Sequence, residues 1–218
     1  TFVGGGYRDT IRLSGGGSGT TAVTGTGGSD TVVFSQGGSY SDHNTTINGK
    51  GQFDFSIYDF TPGTGSGSDK LDFSQLSNHD SHAANQTQGL QTFSFASYTF
   101  GSALSLNQAV IVVTDSPAFD GSGVTSVFSF GNNLLNQALV NGNNEDAIFI
   151  VAKTNPNAVG GLLNPVDWGI WHWHDTGADV AGQTSAGYVD VSELTQLGWL
   201  HGLDKTQAAA LSAANFVI

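Results

Sequence analysis

The chain has 218 residues and a formal net charge of −12, and it contains 31 glycines but no cysteine and no methionine. Six scattered Lys and Arg residues argue against a nucleic-acid binder, because phosphate contacts need clustered cations. The lack of cysteine excludes disulfides and a cysteine nucleophile, and no run approaches the ~18 apolar residues of a membrane-spanning helix.

Residues 1–36 contain two nine-residue units with a shared pattern. Gly4–Arg12 and Gly25–Val33 each fit G-G-x-G-x-D-x-U-x with one mismatch, where U is a large apolar residue. Residues 15–23 form a weaker copy that has Thr20 in place of the aspartate. In this repeat the glycines make tight turns, U faces inward and the aspartate binds a cation shared between turns. We therefore expect stacked coils with Asp9 and Asp30 as Ca²⁺ ligands, and the alternative is a glycine-rich linker.

The next segment predicts two strands joined by a turn. Phe53, Phe55 and Ile57 alternate with Asp54, Ser56 and Tyr58, as in a half-buried strand. Residues 61–68 are rich in Gly, Ser and Pro and predict a turn before the apolar segment 69–76.

Three short segments carry a resemblance to a known family. Asp30–Phe34, Tyr58–Gly63 and Asp69–Phe73 together resemble the end of an RTX (repeats-in-toxin) protein, although about twenty residues are inserted between Phe34 and Phe53. Members of that family form Ca²⁺-filled parallel β-rolls and leave Gram-negative bacteria through a type I secretion channel, with an uncleaved C-terminal signal. The resemblance implies that the predicted Ca²⁺ ligands also include Asp59, Asp69 and Asp72.

The middle of the chain predicts further strands. Apolar alternation or continuous apolar runs indicate strands at Phe93–Phe95, Val110–Val113, Phe128–Phe130 and Ile148–Val151. Residues 134–140 predict a short amphipathic helix. The expected fold is mainly β, with a short Ca²⁺-binding parallel β-roll remnant over 1–36. It runs into a β-sandwich-like domain over 37–218 with a few short helices.

An aromatic strand is predicted near the C-terminus. Trp168, Ile170, Trp171 and Trp173 indicate the strand, with His172 and His174 placed on its opposite face. With Asp175 these histidines could hold a transition metal, and His79 and His82 form a second possible cluster. Packing or interface roles are the commoner alternative.

A calcium loop is predicted directly after this strand. Without a seven-residue insert, 175–193 fits the twelve-position loop D-x-[DN]-x-[DN]-G-x-x-[DNS]-x-x-E, whose final glutamate opens a helix. The predicted ligands are Asp175, Gly177, Asp179, Asp190 and Glu193. Similar segments occur near the end of many type I secreted proteins. Gly177 stands where Asn or Asp is usual, and a loop held by hydrogen bonds alone is the alternative.

The last residues predict a helix and an export terminus. Asp204 is a good N-cap for the alanine-rich segment that follows. Leu211–Ile218 resembles the L-x-A-A-[DN]-F-x-[FIL] ending of type I secreted RTX proteins, which implies an export signal within 204–218. A strand that caps the domain is compatible with this. No N-terminal signal peptide pattern follows Thr1, so we expect a processed fragment or export by another signal.

The acidic residues are divided into 16 aspartates and only two glutamates, Glu145 and Glu193. Aspartate favours turns and metal loops, whereas glutamate favours helices, so the bias agrees with a β-rich, Ca²⁺-binding chain. A solvated acidic surface explains the same composition.

Three functions stay open. The G-x-S-x-G, P-loop and HExxH motifs and the paired glutamates of glycosidases are absent, so we expect no enzyme. The first function is a Ca²⁺-binding, type I secreted structural protein that folds on Ca²⁺ and self-assembles at the cell surface of a Gram-negative bacterium. The second is the C-terminal export and folding module of an exoenzyme or toxin. The third is a haem, metal or carbohydrate binding module that uses the Trp and His face at 168–174.

Overall fold

Two β-sheets account for most of the structure. The computed structural model describes residues 2–14, 21–24, 27–35, 56–76, 87–93, 108–114, 146–152, 167–174 and 194–218. Within these residues there are twelve strands, one short α-helix and one 3₁₀ turn. The predicted mainly β class is therefore confirmed, and only a few helical residues accompany the sheets.

The first six strands alternate between the two sheets. β1 (Phe2–Val3), β3 (Thr21–Val23) and β5 (Ser56–Tyr58) pair in parallel in one sheet. β2 (Thr10–Ser14), β4 (Thr31–Ser35) and β6 (Lys70–Gln75) pair in parallel in the other. Successive strands therefore change sheet, and the strands of one sheet run in the same direction. We call each of the pairs β1–β2, β3–β4 and β5–β6, with its turns, a coil.

Later strands widen the first sheet. β7 (Thr87–Phe93), β8 (Gln108–Val113), β9 (Asp146–Ala152), β10 (Asp167–His174) and β11 (Leu194–His201) complete the order β1-β3-β5-β11-β10-β9-β8-β7, which we call the large sheet. β12 (Phe216–Val217) joins the other, small sheet in the order β12-β6-β4-β2. The helix α1 (Lys205–Ala209) lies between β11 and β12 in the chain.

One hydrophobic core takes side chains from both sheets. The small sheet contributes Ile11, Leu13, Val32, Phe34, Leu71 and Phe73, and the large sheet contributes Ile57, Val110, Val112, Ile148, Ile150, Trp168 and Ile170. The rings of Phe34 and Phe73 stack with centroids 4.9 Å apart. Alternate residues of β2, β4 and β6 therefore face this core, as the nonapeptide pattern predicts for its U positions Ile11 and Val32.

At β8, β9 and the middle of β10 the large sheet is buried on its second face as well. Ile111, Val113, Phe149, Val151 and Trp171 are at most 1% exposed, although they alternate with residues of the shared core. Strands buried on both faces have continuous apolar sequences. This explains the apolar runs at Val110–Val113 and Ile148–Val151, whose prediction as strands is confirmed by β8 and β9.

The prediction of a helix after Glu193 is wrong, because residues 194–201 form strand β11. β11 pairs antiparallel with β10, and the register skips Leu197 between Gly198 and Gln196. Residues three apart in a regular strand point to opposite faces, but this bulge lets Leu197 and Leu200 enter the same core. A spacing of three between apolar residues resembles a helical pattern in the sequence.

Other terminal predictions are confirmed. Residues 168–174 lie within β10, and Asp204 caps α1 by accepting a 2.7 Å hydrogen bond from the backbone N–H of Gln207. Among the described residues, no helix is long and apolar enough to cross a membrane. The predicted strand at 128–130, the helix at 134–140, the His79–His82 cluster and the loop at 175–193 lie outside the described residues.

Candidate functional site

Three aspartates occupy equivalent positions in successive coils of the small sheet. Asp9, Asp30 and Asp69 each directly precede a strand, and the residues that follow them are register partners across β2, β4 and β6. We call these three residues the aspartate ladder. The nonapeptide alignment predicts the equivalence of Asp9 and Asp30, whereas the RTX resemblance implies Asp69 only as a ligand of the separate turn segment with Asp59 and Asp72.

Each carboxylate of the aspartate ladder accepts a backbone hydrogen bond from the preceding coil or from its own turn. Oδ1 of Asp30 accepts from the N–H of Asp9 at 2.7 Å, and Oδ1 of Asp69 accepts from the N–H of Asp30 at 2.9 Å. The second oxygens of Asp69 and Asp9 accept from Thr61 at 2.8 Å and from Gly5 at 2.6 Å. The carboxylates of Asp30 and Asp69 therefore link adjacent coils by hydrogen bonds to backbone N–H groups, and that of Asp9 stabilises its own turn.

Burial sets the electrostatics of the ladder. Asp30 is 1% exposed and Asp69 is 2% exposed. Burial raises the pKa of the Asp69 carboxyl above its ordinary value of 3.8; the N–H donors of Asp30 and Thr61 oppose this rise and the nearby Asp30 charge adds to it. Within the described part of the chain, neither carboxylate forms an ion pair with Lys or Arg. Among the described residues, backbone N–H groups thus stabilise these two buried carboxylates.

The turns that carry the ladder pack backbone to backbone. Gly28 has φ +97°, and a Cβ atom at this position would collide with the carbonyl of Tyr7 in the turn of the preceding coil. A Cβ atom at Gly4 would collide with the carbonyl of Thr24. Glycine is therefore required at both positions, for its conformation at Gly28 and for the close approach at both.

Asn215 closes the last rung of the ladder. Its side chain is fully buried, and its Nδ2 donates to the carbonyl of Asp69 at 2.8 Å, as the backbone N–H of Lys70 donates to Asp30 one coil earlier at 2.7 Å. Its Oδ1 accepts from the backbone N–H groups of Ser212 at 3.0 Å and Gly63 at 3.1 Å. The segment Leu211–Ile218, which the RTX resemblance implies is an export terminus, therefore also docks as the capping strand of the small sheet.

The other predicted ligands have separate places. Asp59 is exposed, with φ +60°, and Asp72 accepts from the N–H and hydroxyl of Ser74 at 2.9 and 2.6 Å. Asp175, Gly177, Asp179, Asp190 and Glu193 lie outside the described residues. Across the part of the chain that the structure covers, no three His, Asp or Glu side chains converge as a metal-ligand group. The Ca²⁺ role of these residues stays a prediction.

The Trp and His face predicted at 168–174 is largely enclosed. Trp168, Trp171 and Trp173 are at most 1% exposed and His172 is 8% exposed. His172 is the register partner of Ile148, a residue of the shared core, whereas Trp171 and Trp173 pair with Phe149 and Ala147. The prediction that His172 faces away from Trp171 and Trp173 agrees with this register. Strand alternation, however, places Trp168 and Ile170 on the same face as His172. Such burial disfavours an aromatic platform for a carbohydrate at these residues.

A second polar cluster crosses three neighbouring strands of the large sheet. Nδ1 of His201 lies 2.8 Å from Oδ1 of Asp167, and Nε2 of His201 lies 3.2 Å from Oγ of Ser56. We call Ser56, His201 and Asp167 the serine relay. Asp167 and His201 are direct partners across β10 and β11, and Ser56 is the partner of Trp199 across β5 and β11.

Aromatic rings flank the serine relay. The ring of Tyr58 stacks on that of His201 with centroids 4.6 Å apart, and the ring of Trp199 lies 6.4 Å from it. Tyr58 is 40% exposed, so this part of the large sheet is open to solvent. The three polar residues are up to 145 positions apart and no local motif contains them, so sequence patterns do not reveal this cluster.

Comparison of the chain with protein-family models, with curated proteins and with solved structures gives no match in any of the three.

Proposed function

We propose that this chain is a calcium-binding, type I secreted extracellular structural protein that folds on Ca²⁺ and self-assembles. The observation that carries the proposal is the aspartate ladder, whose buried carboxylates repeat from coil to coil. We further propose that β1–β6 are the remnant of a Ca²⁺ β-roll and that the two sheets form a sandwich-like domain around their shared core.

The donor atoms of the ladder fit a hard cation. Of its six carboxylate oxygens, four accept backbone hydrogen bonds, and Oδ1 of Asp9 and Oδ2 of Asp30 accept none from the described residues. Ca²⁺ prefers carboxylate and carbonyl oxygens, and the stacked turns supply both. A bound cation would offset the burial of Asp30 and Asp69 and would favour their ionised form.

Calcium would then act as the folding trigger. A net charge of −12 opposes compaction, and the scarcity of Ca²⁺ inside a cell would keep the chain unfolded for export through the type I secretion machinery. Outside a Gram-negative cell, Ca²⁺ would bind the folded form alone, so that binding energy becomes folding energy.

Edge strands offer a route to self-assembly. β1 ends the large sheet and β2 ends the small sheet, and each has one neighbouring strand within the described part of the chain. Unpaired strand edges are templates for another chain. We therefore propose that the edge at the first coil pairs with a second copy.

Circular dichroism and light scattering of the purified chain test the proposal. We expect little β structure in EDTA, folding on addition of Ca²⁺ but not of Mg²⁺, and then ordered growth of particle mass. The double variant Asp30→Asn with Asp69→Asn should need more Ca²⁺, whereas Asp204→Asn should not, because it changes an exposed helix cap to another good cap. Equal folding in EDTA and Ca²⁺ would refute the calcium role.

The export and folding module of a larger secreted enzyme or toxin is the second candidate, and the cap favours it. Asn215 and β12 close one end of the coil stack, which is what a terminal module of a longer repeat array must do. Folding in Ca²⁺ to a monomer that does not associate would favour this candidate over the self-assembling protein.

A further inference from the structure

We propose that Ser56, His201 and Asp167 form an acyl-transfer site that hydrolyses aryl esters of short carboxylic acids. This activity goes beyond the calcium-dependent structural role. It rests on a different part of the molecule, the outer face of the large sheet at β5, β11 and β10.

The two distances within the serine relay match the roles of nucleophile, base and orienting acid. Oγ of Ser56 lies 3.2 Å from Nε2 of His201, within reach of a hydrogen bond to a general base. The carboxylate of Asp167 lies 2.8 Å from Nδ1 and fixes the tautomer in which Nδ1 carries the proton and Nε2 is free to accept one. This constellation is recognised by geometry and not by order in the sequence.

The strand framework holds the relay in place. Asp167 and His201 face each other as cross-strand partners, and the ring of His201 is stacked on Tyr58 at an interplanar angle of 15°. Two side chains of the serine relay are partly exposed to solvent, His201 by 22% and Asp167 by 30%. Ser56 is partly exposed as well, so all three groups of the serine relay meet solvent.

The reaction balances with water as the only co-reactant. Oγ of Ser56 attacks the ester carbonyl carbon as its proton passes to Nε2 of His201. The tetrahedral adduct expels the aryl oxygen, which takes that proton and leaves an acyl ester on Ser56. Water then attacks this ester with the same imidazole as base, releasing the carboxylic acid and restoring the serine hydroxyl.

The neighbouring side chains indicate the substrate class. Tyr58 and Trp199 place aromatic rings beside the imidazole, and a planar aryl group can stack on them. An aryl oxygen is also a good leaving group, so the relay itself suffices to release it.

The experiment combines covalent labelling with ester hydrolysis by the full chain in Ca²⁺ buffer. A fluorophosphonate probe followed by peptide mapping should mark Ser56. Hydrolysis of p-nitrophenyl acetate should fall about 100-fold or more in Ser56→Ala and in His201→Ala, the scale of a lost acid–base group. Ser74→Ala is the matched control, because the hydroxyl of Ser74 bonds a carboxylate and no imidazole.

The labelling arm uses the unaltered chain and so does not depend on how the variants fold. An adduct on Ser56 together with unchanged hydrolysis by Ser74→Ala supports the proposal. Absence of an adduct on Ser56, or equal hydrolysis by the unaltered chain and Ser56→Ala, overturns it and leaves the serine relay as a fastening of three strands.

Discussion

Two carboxylates of the aspartate ladder are buried, and their position depends on the short length of the aspartate side chain. Asp30 and Asp69 are almost fully buried, and their short side chains accept hydrogen bonds from backbone N–H groups of the adjacent coil and, at Asp69, from Thr61 of its own turn. A glutamate at these positions would extend past those N–H groups, so the ladder uses the residue that the composition favours. In the folded chain their hydrogen bonds hold the turns of adjacent coils in register.

Replacing Asp69 with Asn tests the charge of the ladder through pH. The folded-state pKa of Asp69 is raised above 3.8, so the folded state binds its proton more readily than the unfolded state. In EDTA this group therefore lowers stability once ionised, and stability is regained as the pH falls through the raised folded pKa toward 3.8. Circular dichroism in EDTA at several pH values should show this gain as β structure that appears when the unaltered chain is acidified, and this pH dependence should be weaker in Asp69→Asn.

In Ca²⁺ the pH dependence of stability should have the opposite sign. The cation favours the ionised carboxylate, and protonation at low pH releases the cation, so stability should fall as the pH falls. The exposed Asp204→Asn provides the control, since its pH profile should follow that of the unaltered chain. Identical profiles for Asp69→Asn and the unaltered chain would contradict the electrostatic role of Asp69.

Among the elements, the short strand β12 completes the small sheet. It contributes only two residues of pairing, with Phe216 opposite Leu71 and Val217 opposite Asp72. The buried side chain of Asn215 replaces the backbone donor that another coil would supply, so a two-residue strand suffices. Leu211 and Phe216, which precede and follow Asn215 in the chain, are also buried.

Replacing Asn215 with Ala should lower the free energy of unfolding by about 1–3 kcal/mol, because it leaves buried donors and an acceptor without partners. Chemical denaturation followed by circular dichroism measures the change. The neighbouring exposed Ala214→Ser should be within about 0.5 kcal/mol of the unaltered chain. If both variants were equally stable, Asn215 would not be the cap.

At the scale of the whole molecule, the shared core joins the coil strands to the later strands. Phe34 and Phe73 of the small sheet belong to the same cluster as Trp168 and Ile170 of the large sheet. Strand pairing also crosses residue 36, since β3 pairs with β5 and β4 with β6. The division at residue 36 stays a prediction, but the core predicts that both parts unfold together.

Tryptophan fluorescence can test this coupling, because all four tryptophans lie between residues 168 and 199. Phe73→Ala, in the small sheet, should lower the fluorescence-detected stability by about 3–5 kcal/mol, the usual cost of emptying a buried phenylalanine site. Lys70→Ala, an exposed change in the same strand, should have little effect. A fluorescence transition unmoved by Phe73→Ala would show that the two sheets unfold independently.

Local patterns in the sequence predict much of this structure, but contacts between distant strands escape them. The phase of Asp and apolar residues places Asp9, Asp30, Val32 and the coil strands correctly. It does not show β11, because the bulge at Leu197 hides the alternation of that strand. The serine relay escapes for a different reason, since its residues become neighbours only when β5 pairs with β11.

The contact between Asn215 and Asp69 spans 146 positions of the chain. Closing so long a loop is entropically costly, so this contact is expected to form late, after the shared core has brought its ends together. A chain shortened before Ser212 would keep all three ladder aspartates and lose the residue that closes their last rung. Asn215 thus makes the stability of the first coils depend on the segment 212–218, which lies far from them in the sequence.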